Sequence, residues 1–599
     1  MKIGIEIHQR LDTHKLFCNC PSELASESEK PLLNVRRRLH PVFSELGEVD
    51  EASRSEFAKG RMFEYQAFRN NCLVELDEEP PGMLNMHALK IALEIARQLN
   101  ATPVDELHVM RKTVIDGSNT SGFQRTAIVA LNGHVDTSHG SVHIPMIAIE
   151  EESAGIVSSS GEAACYRLDR LGIPLVEITT APDIRDGAHL SEVAEKIGMM
   201  LRATGKVARG LGTIRQDVNI STDGGARVEI KGAQDLRMLP QMVENEERRQ
   251  LLLLKMLQEL RQRGAFPIRE HMVVVSSLFQ GKKGGIIGGG LRFGSVVLAQ
   301  KLPEHEGILG MELQPGKRYG TELSDYAKKA GVKGIIHSDE ELERYDITPE
   351  DEAALRKAIE AGEKDAFVII VAPMEQAKRA MRTLLERANM DRVPKETRRA
   401  NPDGTSTYMR PLPGRARLYP ETDVPSIPLT AELLDSVAET ESLEDKRARL
   451  EQLLNREMAL RMLKSRNLHM FERLVEQGAD PMLAATTVEE TLVSLRREGV
   501  EFNDAEKALE ELFAEYKKGT FVRAAIPEVL KGMAKGARVD AVIKVYRLQK
   551  ISGHALEAIA LENDYDMKRI MQKHRLQVDP QEVAEVVKRG KVEQGKEFI

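Results

Sequence analysis

The residues best suited to chemistry are acids set among apolar neighbours. From Lys2 to His8 the pattern alternates strictly, with Ile3, Ile5 and Ile7 on one strand face and Gly4, Glu6 and His8 on the other. Glu6 and His8 therefore point the same way and can share a cation, although a solvated strand face carries the same pattern. Glu150-Glu151-Glu152 close an apolar run from Ile144 to Ile149, and Glu177 is set inside Ile173-Pro-Leu-Val-Glu-Ile178. A carboxylate inside such a segment is costly unless paired or metal-bound, which makes Glu177 the more telling of the two. Oxygen ligands with at most one imidazole favour Mg²⁺ or Mn²⁺ over zinc, and substrate phosphates usually complete the Mg²⁺ shell. A phosphate-bearing substrate follows. The competing reading pairs the same acids with Arg167, Arg170 and Lys112.

A second acidic surface comes from a hairpin, Asp217-Val-Asn-Ile-Ser221, which turns at Asp223-Gly224-Gly225 and returns as Arg227-Val-Glu-Ile-Lys231. Val218, Ile220, Val228 and Ile230 face a core, leaving Asp217, Asn219, Ser221, Arg227, Glu229 and Lys231 on the open face. That face can position phosphates and a metal, or be the wet side of an ordinary antiparallel sheet. No phosphate-binding G-x-x-x-x-G-K-[ST] loop occurs: before Gly316-Lys317-Arg318, Met311 stands where the first glycine belongs. The glycine run Gly284 to Gly290 lacks the spacing of a dinucleotide fingerprint and reads as a loop. Cys18, Cys20 and Cys72 offer three of the four thiolates a closed zinc site wants, with Cys165 elsewhere, so buried free thiols are the simpler reading.

The elements that position these residues form an α+β, multidomain chain. Its 599 residues suit about four domains. With 41% hydrophobic residues it has enough apolar side chains for sizeable cores, and the net charge of −8 excludes a wholesale basic coat. Trp is absent and aromatics are 4%, so a nucleic acid would be gripped through charge and shape more than stacking. No apolar run approaches the roughly 20 residues a membrane span needs, and the opening Met-Lys-Ile-Gly-Ile lacks a secretory signal, so a cytoplasmic protein without membrane contact is expected. Helices are expected over Met86 to Leu99 and from Leu239 to Leu260 with a stop at Gly264. Residues 1–271 read as a β-rich domain and 272–398 as a separate α/β domain. In the latter, Thr348 and Asp351 cap a helix before the buried strand Phe367-Val-Ile-Ile-Val371. A proline-rich, loop-like segment follows over 399–428; helices fill 429–518, and a tail of net charge +4 occupies 519–599. The polarity between this tail and the rest of the chain hints at an anionic ligand.

Several ordered motifs together resemble one family: Ile3-Gly-Ile-Glu-Ile-His8, Glu151-Glu-x-Ala-Gly155, Pro174-Leu-Val-Glu-Ile178 leading to Pro182-Asp-Ile184, and Ile214-Arg-Gln-Asp-Val-Asn-Ile-Ser221. They look like the B/E subunits of tRNA-dependent amidotransferases. The stretch Gly331-Val-Lys-Gly-Ile-Ile-His-Ser-Asp339 is similar to the insertion domain of bacterial-type aspartyl-tRNA synthetases and points to the archaeal branch of the family. The resemblance implies a catalytic cradle over 1–271 and 399–428. It also implies ATP-dependent phosphorylation of the side-chain carboxyl of Glu misacylated on tRNA(Gln), with ammonia then replacing the phosphate. Carried over by motif, Glu6, His8, Glu151 and Glu177 bind Mg²⁺, while Asp217 and Asn219 line the nucleotide pocket. An asparaginase-like D subunit supplies the ammonia in a hetero-oligomer, and the tail binds tRNA. Two rivals stand beside this reading: a non-catalytic tRNA-binding scaffold, and a metal hydrolase built on the same acids.

Overall fold

The computed structural model describes residues 1–42, 47, 49–57, 60–160, 163–414, 417–439, 441–465, 467–502 and 504–593. The chain divides into two compact units, Met1–Thr440 and Glu441–Ile599. The first is mixed α and β and is built on an 11-stranded sheet. Across the middle of that sheet the order is Val228–Lys231, Ile214–Ser221, Lys2–Arg10, Pro174–Thr179, Gly140–Glu151, Phe123–Thr137, Val109–Thr113. All these neighbours are antiparallel.

One sheet face is apolar because the alternation is carried from strand to strand. Ile3, Ile5 and Ile7 join Val176, Ile178, Val218, Ile220, Val228 and Ile230 in one buried core with residues of several helices. Among these are Met86–Gln98, whose first turn is capped by the Asn85 side chain, and Gly187–Ala203, capped by Asp186. Side chains of opposite parity are left on the open face. A long helix, Leu239–Arg263, follows and ends at Gly264, whose φ of 76° is the left-handed conformation glycine adopts freely.

The insert forms a four-stranded sheet, in the order Val273–Val274, Val296–Leu302, Ala366–Ala372, Ile336–His337. The helix Pro349–Ala358 begins with the expected box, in which Asp351 N–H donates to Thr348 Oγ1 and Thr348 N–H to Asp351. The glycine run expected as a loop is instead helical, Gly285–Arg292. Its glycines permit close approach: a Cβ on Gly290 would meet Val371 Cγ1 at 2.4 Å, and one on Gly288 the Lys282 carbonyl at 2.5 Å. The segment after Arg398, expected as loop, begins with two further strands of the large sheet, Glu396–Ala400 and Ser406–Pro411. Their pattern is hidden because the buried side chains are charged. Arg249, Arg387 and Arg398 share Glu246, Glu322 and Glu396 in a network in which every member is at most 3% exposed, joining the long helix, the insert and the returning strand.

The second unit is helical. One apolar core runs from Leu450 to Leu548, and a smaller one gathers side chains between Leu556 and Val587. The expected division at 518/519 therefore falls inside the larger core, while Leu429 and Val437 pack into the core of the first unit. No helix among the described residues is long and apolar enough to cross a membrane.

Candidate active site

The open face of the large sheet forms the floor of a cleft of about 850 Å³. Register explains who meets there. His8 lies opposite Glu177, and Glu6 opposite Asp217, so one strand contributes to two acidic groups. Glu177 is opposite Ala148, which places Glu150, two residues on, on the same face.

Two clusters result, each with its ligand atoms within 4.8 Å of one another: His8, Glu150 and Glu177, and Glu6, Asp217 and Glu229. In the first, His8 Nε2 lies 3.5 Å from Glu150 and 3.8 Å from Glu177. Lys112 Nζ donates to both carboxylates at 3.0 and 3.2 Å. In the second, Lys231 Nζ lies 2.6 Å from Asp217 and 2.8 Å from Glu229. Asn219 donates to Glu6 at 3.0 Å, and Thr397 to Glu229 at 2.9 Å.

The electrostatics of the floor are uneven. Burial alone would raise the Glu177, Asp217 and Glu229 carboxyls, but Lys112 beside the first and Lys231 beside the others hold all three below the usual carboxylate range. Burial pushes Glu6 up, and the neighbouring Glu177 and Glu229 push it further. The floor thus carries more negative charge than its two lysines offset. Hard oxygen donors, a single imidazole and surplus anionic charge are what a divalent cation such as Mg²⁺ is held by, so the donor set fits that ion.

Of the residues expected at the site, Glu6, His8, Glu177, Asp217 and Asn219 all line this cleft. Glu151 does not. It takes the opposite face of its strand, where it accepts hydrogen bonds from the Arg125 backbone at 3.1 Å and from the Arg125 guanidinium at 3.5 Å. Its neighbour Glu152 is enclosed by Arg10, Arg170 and Arg215. Glu150 is the member of the triplet that faces the cleft. Ile147 and Ile149 point to the core, so Glu151 shares their parity and Glu150 does not. The rival pairing of the acids with cations is realised at Glu150 and Glu177 by Lys112 and at Glu152 by Arg170, whereas Arg167 pairs with Asp169. Glu229 and Lys231, which the hairpin pattern puts on the open face without individual roles, complete the second group. Away from the cleft, Cys18, Cys20 and Cys72 gather with a fourth donor the cysteine count missed, Glu75, and this tetrad suits a closed zinc site.

A model described as the GatB/GatE catalytic domain matches residues 1–435. The chain belongs to the GatB/GatE family. A second match, to a GatB domain, covers residues 469–563. The chain is 48% identical over 547 residues to the E subunit of the glutamyl-tRNA(Gln) amidotransferase of Pyrococcus furiosus, covering 89% of this chain and 86% of that relative. It is 45% identical over 574 residues to the protein of the same description from Methanocaldococcus jannaschii, covering 93% and 90%. With the protein so described from Methanosarcina barkeri it shares 46% over 541 residues, covering 89% and 84%. Membership in the GatB/GatE family carries an amidotransferase activity, a ligase chemistry.

Proposed function

We propose that this chain converts Glu-tRNA(Gln) to Gln-tRNA(Gln) at the acidic cleft in an ATP-dependent reaction. The observation that carries the proposal is the meeting of two acidic groups, His8–Glu150–Glu177 and Glu6–Asp217–Glu229, on one cleft floor. Such a floor suits phosphoryl transfer onto a carboxylate, where anionic oxygens must be brought together. The glutamyl side-chain oxygen attacks the γ-phosphorus, the bond to the β-phosphate oxygen breaks, and ADP leaves. Ammonia then attacks the acyl carbon, and the C–O bond to phosphate breaks. Mg²⁺, held by His8, Glu150 and Glu177 with Glu6, Asp217 and Glu229 alongside, would supply charge neutralisation for the clustered oxygens. Lys112 holds Glu177 deprotonated and Lys231 does the same for Asp217 and Glu229, and Asn219 orients Glu6. Asp217 and Asn219 line the nucleotide side.

In the same reading an asparaginase-like D subunit delivers the ammonia in a cytoplasmic hetero-oligomer. The insert corresponds to that of bacterial-type aspartyl-tRNA synthetases, and the helical unit binds the tRNA. The experiment supplies Glu-tRNA(Gln), ATP, Mg²⁺ and free ammonia to this chain alone. Gln-tRNA(Gln) is expected, and Glu177→Gln should abolish it while leaving tRNA affinity within about twofold. A folded, tRNA-binding chain that makes no product would mean a scaffold, and glutamate released without ATP would mean a hydrolase.

A further inference from the structure

The acidic floor faces a basic wall that the proposed reaction has not yet used. Arg61, Arg410 and Arg417 line the same cleft, together with Arg227 and Lys329. The first three come from separate places in the chain. Arg61 immediately precedes the strand Met62–Ala67, Arg410 is on Ser406–Pro411, and Arg417 directly precedes Leu418–Pro420. Arg410 and Arg417 lie on the segment that returns after the insert, so that return brings cations over the floor.

These three arginines are underused by the protein. The Nε atoms of Arg61 and Arg410 are buried without a hydrogen-bond partner. Arg410 reaches Asp116 only at 3.9 Å. Arg417 donates from Nε to the Thr113 carbonyl at 3.3 Å, and among the described residues neither it nor Arg61 makes an ion pair. Arg10, Arg170 and Arg215, by contrast, surround Glu152. Burial lowers the Arg417 guanidinium from its ordinary value, and neighbouring Arg410 lowers it further, while Glu229 and Glu150 act in the opposite direction. Arg417 is thus within electrostatic reach of both acidic groups. Half-buried guanidinium groups with so few partners in the protein are favourable partners for a multiply charged anion, because the planar fork matches phosphate oxygens.

We propose that Arg61, Arg410 and Arg417 grip the polyphosphate of the nucleotide, which lies between this wall and the acidic floor. The assignment rests on the ATP-dependent reading above and adds to it the residues that select a polyphosphate. It favours a nucleotide over an RNA backbone because these guanidinium groups line the same cleft as the floor carboxylates, a place for an anion that also meets a cation.

The test uses the full-length chain and four binding measurements with Mg²⁺ or Mn²⁺ present: a β,γ-imido ATP analogue, inorganic tripolyphosphate, Mn²⁺ by electron paramagnetic resonance, and Glu-tRNA(Gln). Arg410→Gln and Arg417→Gln should each weaken the analogue and tripolyphosphate about 10- to 100-fold, with Mn²⁺ and tRNA affinities within about twofold of the native chain. Arg417→Lys, which keeps the charge but loses the fork, should fall between, and it serves as the second variant if Arg417→Gln does not fold. Unchanged affinity for both polyphosphates in the folded variants would overturn the assignment while leaving the functional reading intact. Loss of tRNA affinity with nucleotide affinity retained would overturn it in favour of RNA phosphates. A native chain that binds neither polyphosphate would sink both.

Discussion

Glu150 and Glu151 are adjacent in sequence, and the strand phase assigns them opposite roles, so single-atom changes at the two positions separate the metal-site geometry from mere acidity. Glu150→Gln removes one of the two carboxylate charges in the His8–Glu150–Glu177 group. A unit charge pair about 4 Å apart is worth roughly 4 kcal/mol at an effective dielectric of about 20. The amide keeps one oxygen ligand, and losing the charge relieves repulsion with Glu177. The net loss for a divalent ion is therefore about 3 kcal/mol, or on the order of 100-fold in affinity. Glu151→Gln weakens charge-assisted hydrogen bonds to Arg125, whose Nε still donates to Glu421 at 2.8 Å. It should cost about 1.5–3 kcal/mol of stability and leave metal affinity within about twofold. Mn²⁺ titration by electron paramagnetic resonance, thermal unfolding and the ammonia-driven reaction read the three quantities separately. Loss of metal binding and turnover in Glu151→Gln, with Glu150→Gln near native, would refute the register argument.

Glu6 is pushed up by burial and by Glu177 and Glu229, so its contribution to stability is full below its unfolded pKa and is lost as pH rises through the raised folded value. Without divalent ions, Glu6→Gln should therefore unfold at a higher temperature than the native chain at neutral pH. At about pH 4 the two should unfold alike, and saturating Mg²⁺ should shrink the neutral-pH difference; a variant less stable at neutral pH in chelator would contradict the charge surplus. Arg249→Met strips a cation from Glu246, Glu322 and Glu396, all at most 3% exposed, and should cost about 3–5 kcal/mol by denaturant unfolding. A loss below about 1 kcal/mol would show that water or proton uptake replaces the arginine. At the tetrad of Cys18, Cys20, Cys72 and Glu75, one equivalent of zinc is expected by competition with a chromogenic chelator. Cys72→Ser should release it and lower the unfolding temperature, whereas a native chain indifferent to chelation would leave these thiols without a metal.

What the sequence discloses here follows the reach of each physical rule. Strict alternation in the first strand determines that Glu6 and His8 share a face because the period of two is a local property of the backbone. The hairpin that carries Asp217 and Asn219 is equally local, since its turn residues and apolar partners lie within fifteen positions of one another. Glu151 shows where locality ends. Its motif is genuine, but only pairing with Pro174–Thr179 shows that Glu150, not Glu151, looks into the cleft. The strands at Glu396–Ala400 and Ser406–Pro411 were hidden for a different reason. Apolar periodicity detects strands that bury hydrocarbon, whereas Glu396 and Arg398 are buried by one another's charge and by Arg249 and Glu322. That network also explains how arginines beyond the insert are aimed at a floor begun at residue 2. Once Glu396–Ala400 pairs in parallel with Val228–Lys231, the register of Ser406–Pro411 follows, and Arg410 is placed along the cleft that Asp217 and Glu229 line. A buried ionic joint is directional where an apolar one is not, because misplacing any member leaves a charge unpaired in the interior. The proposed phosphate wall is therefore set by the same charges that make its strands hard to see.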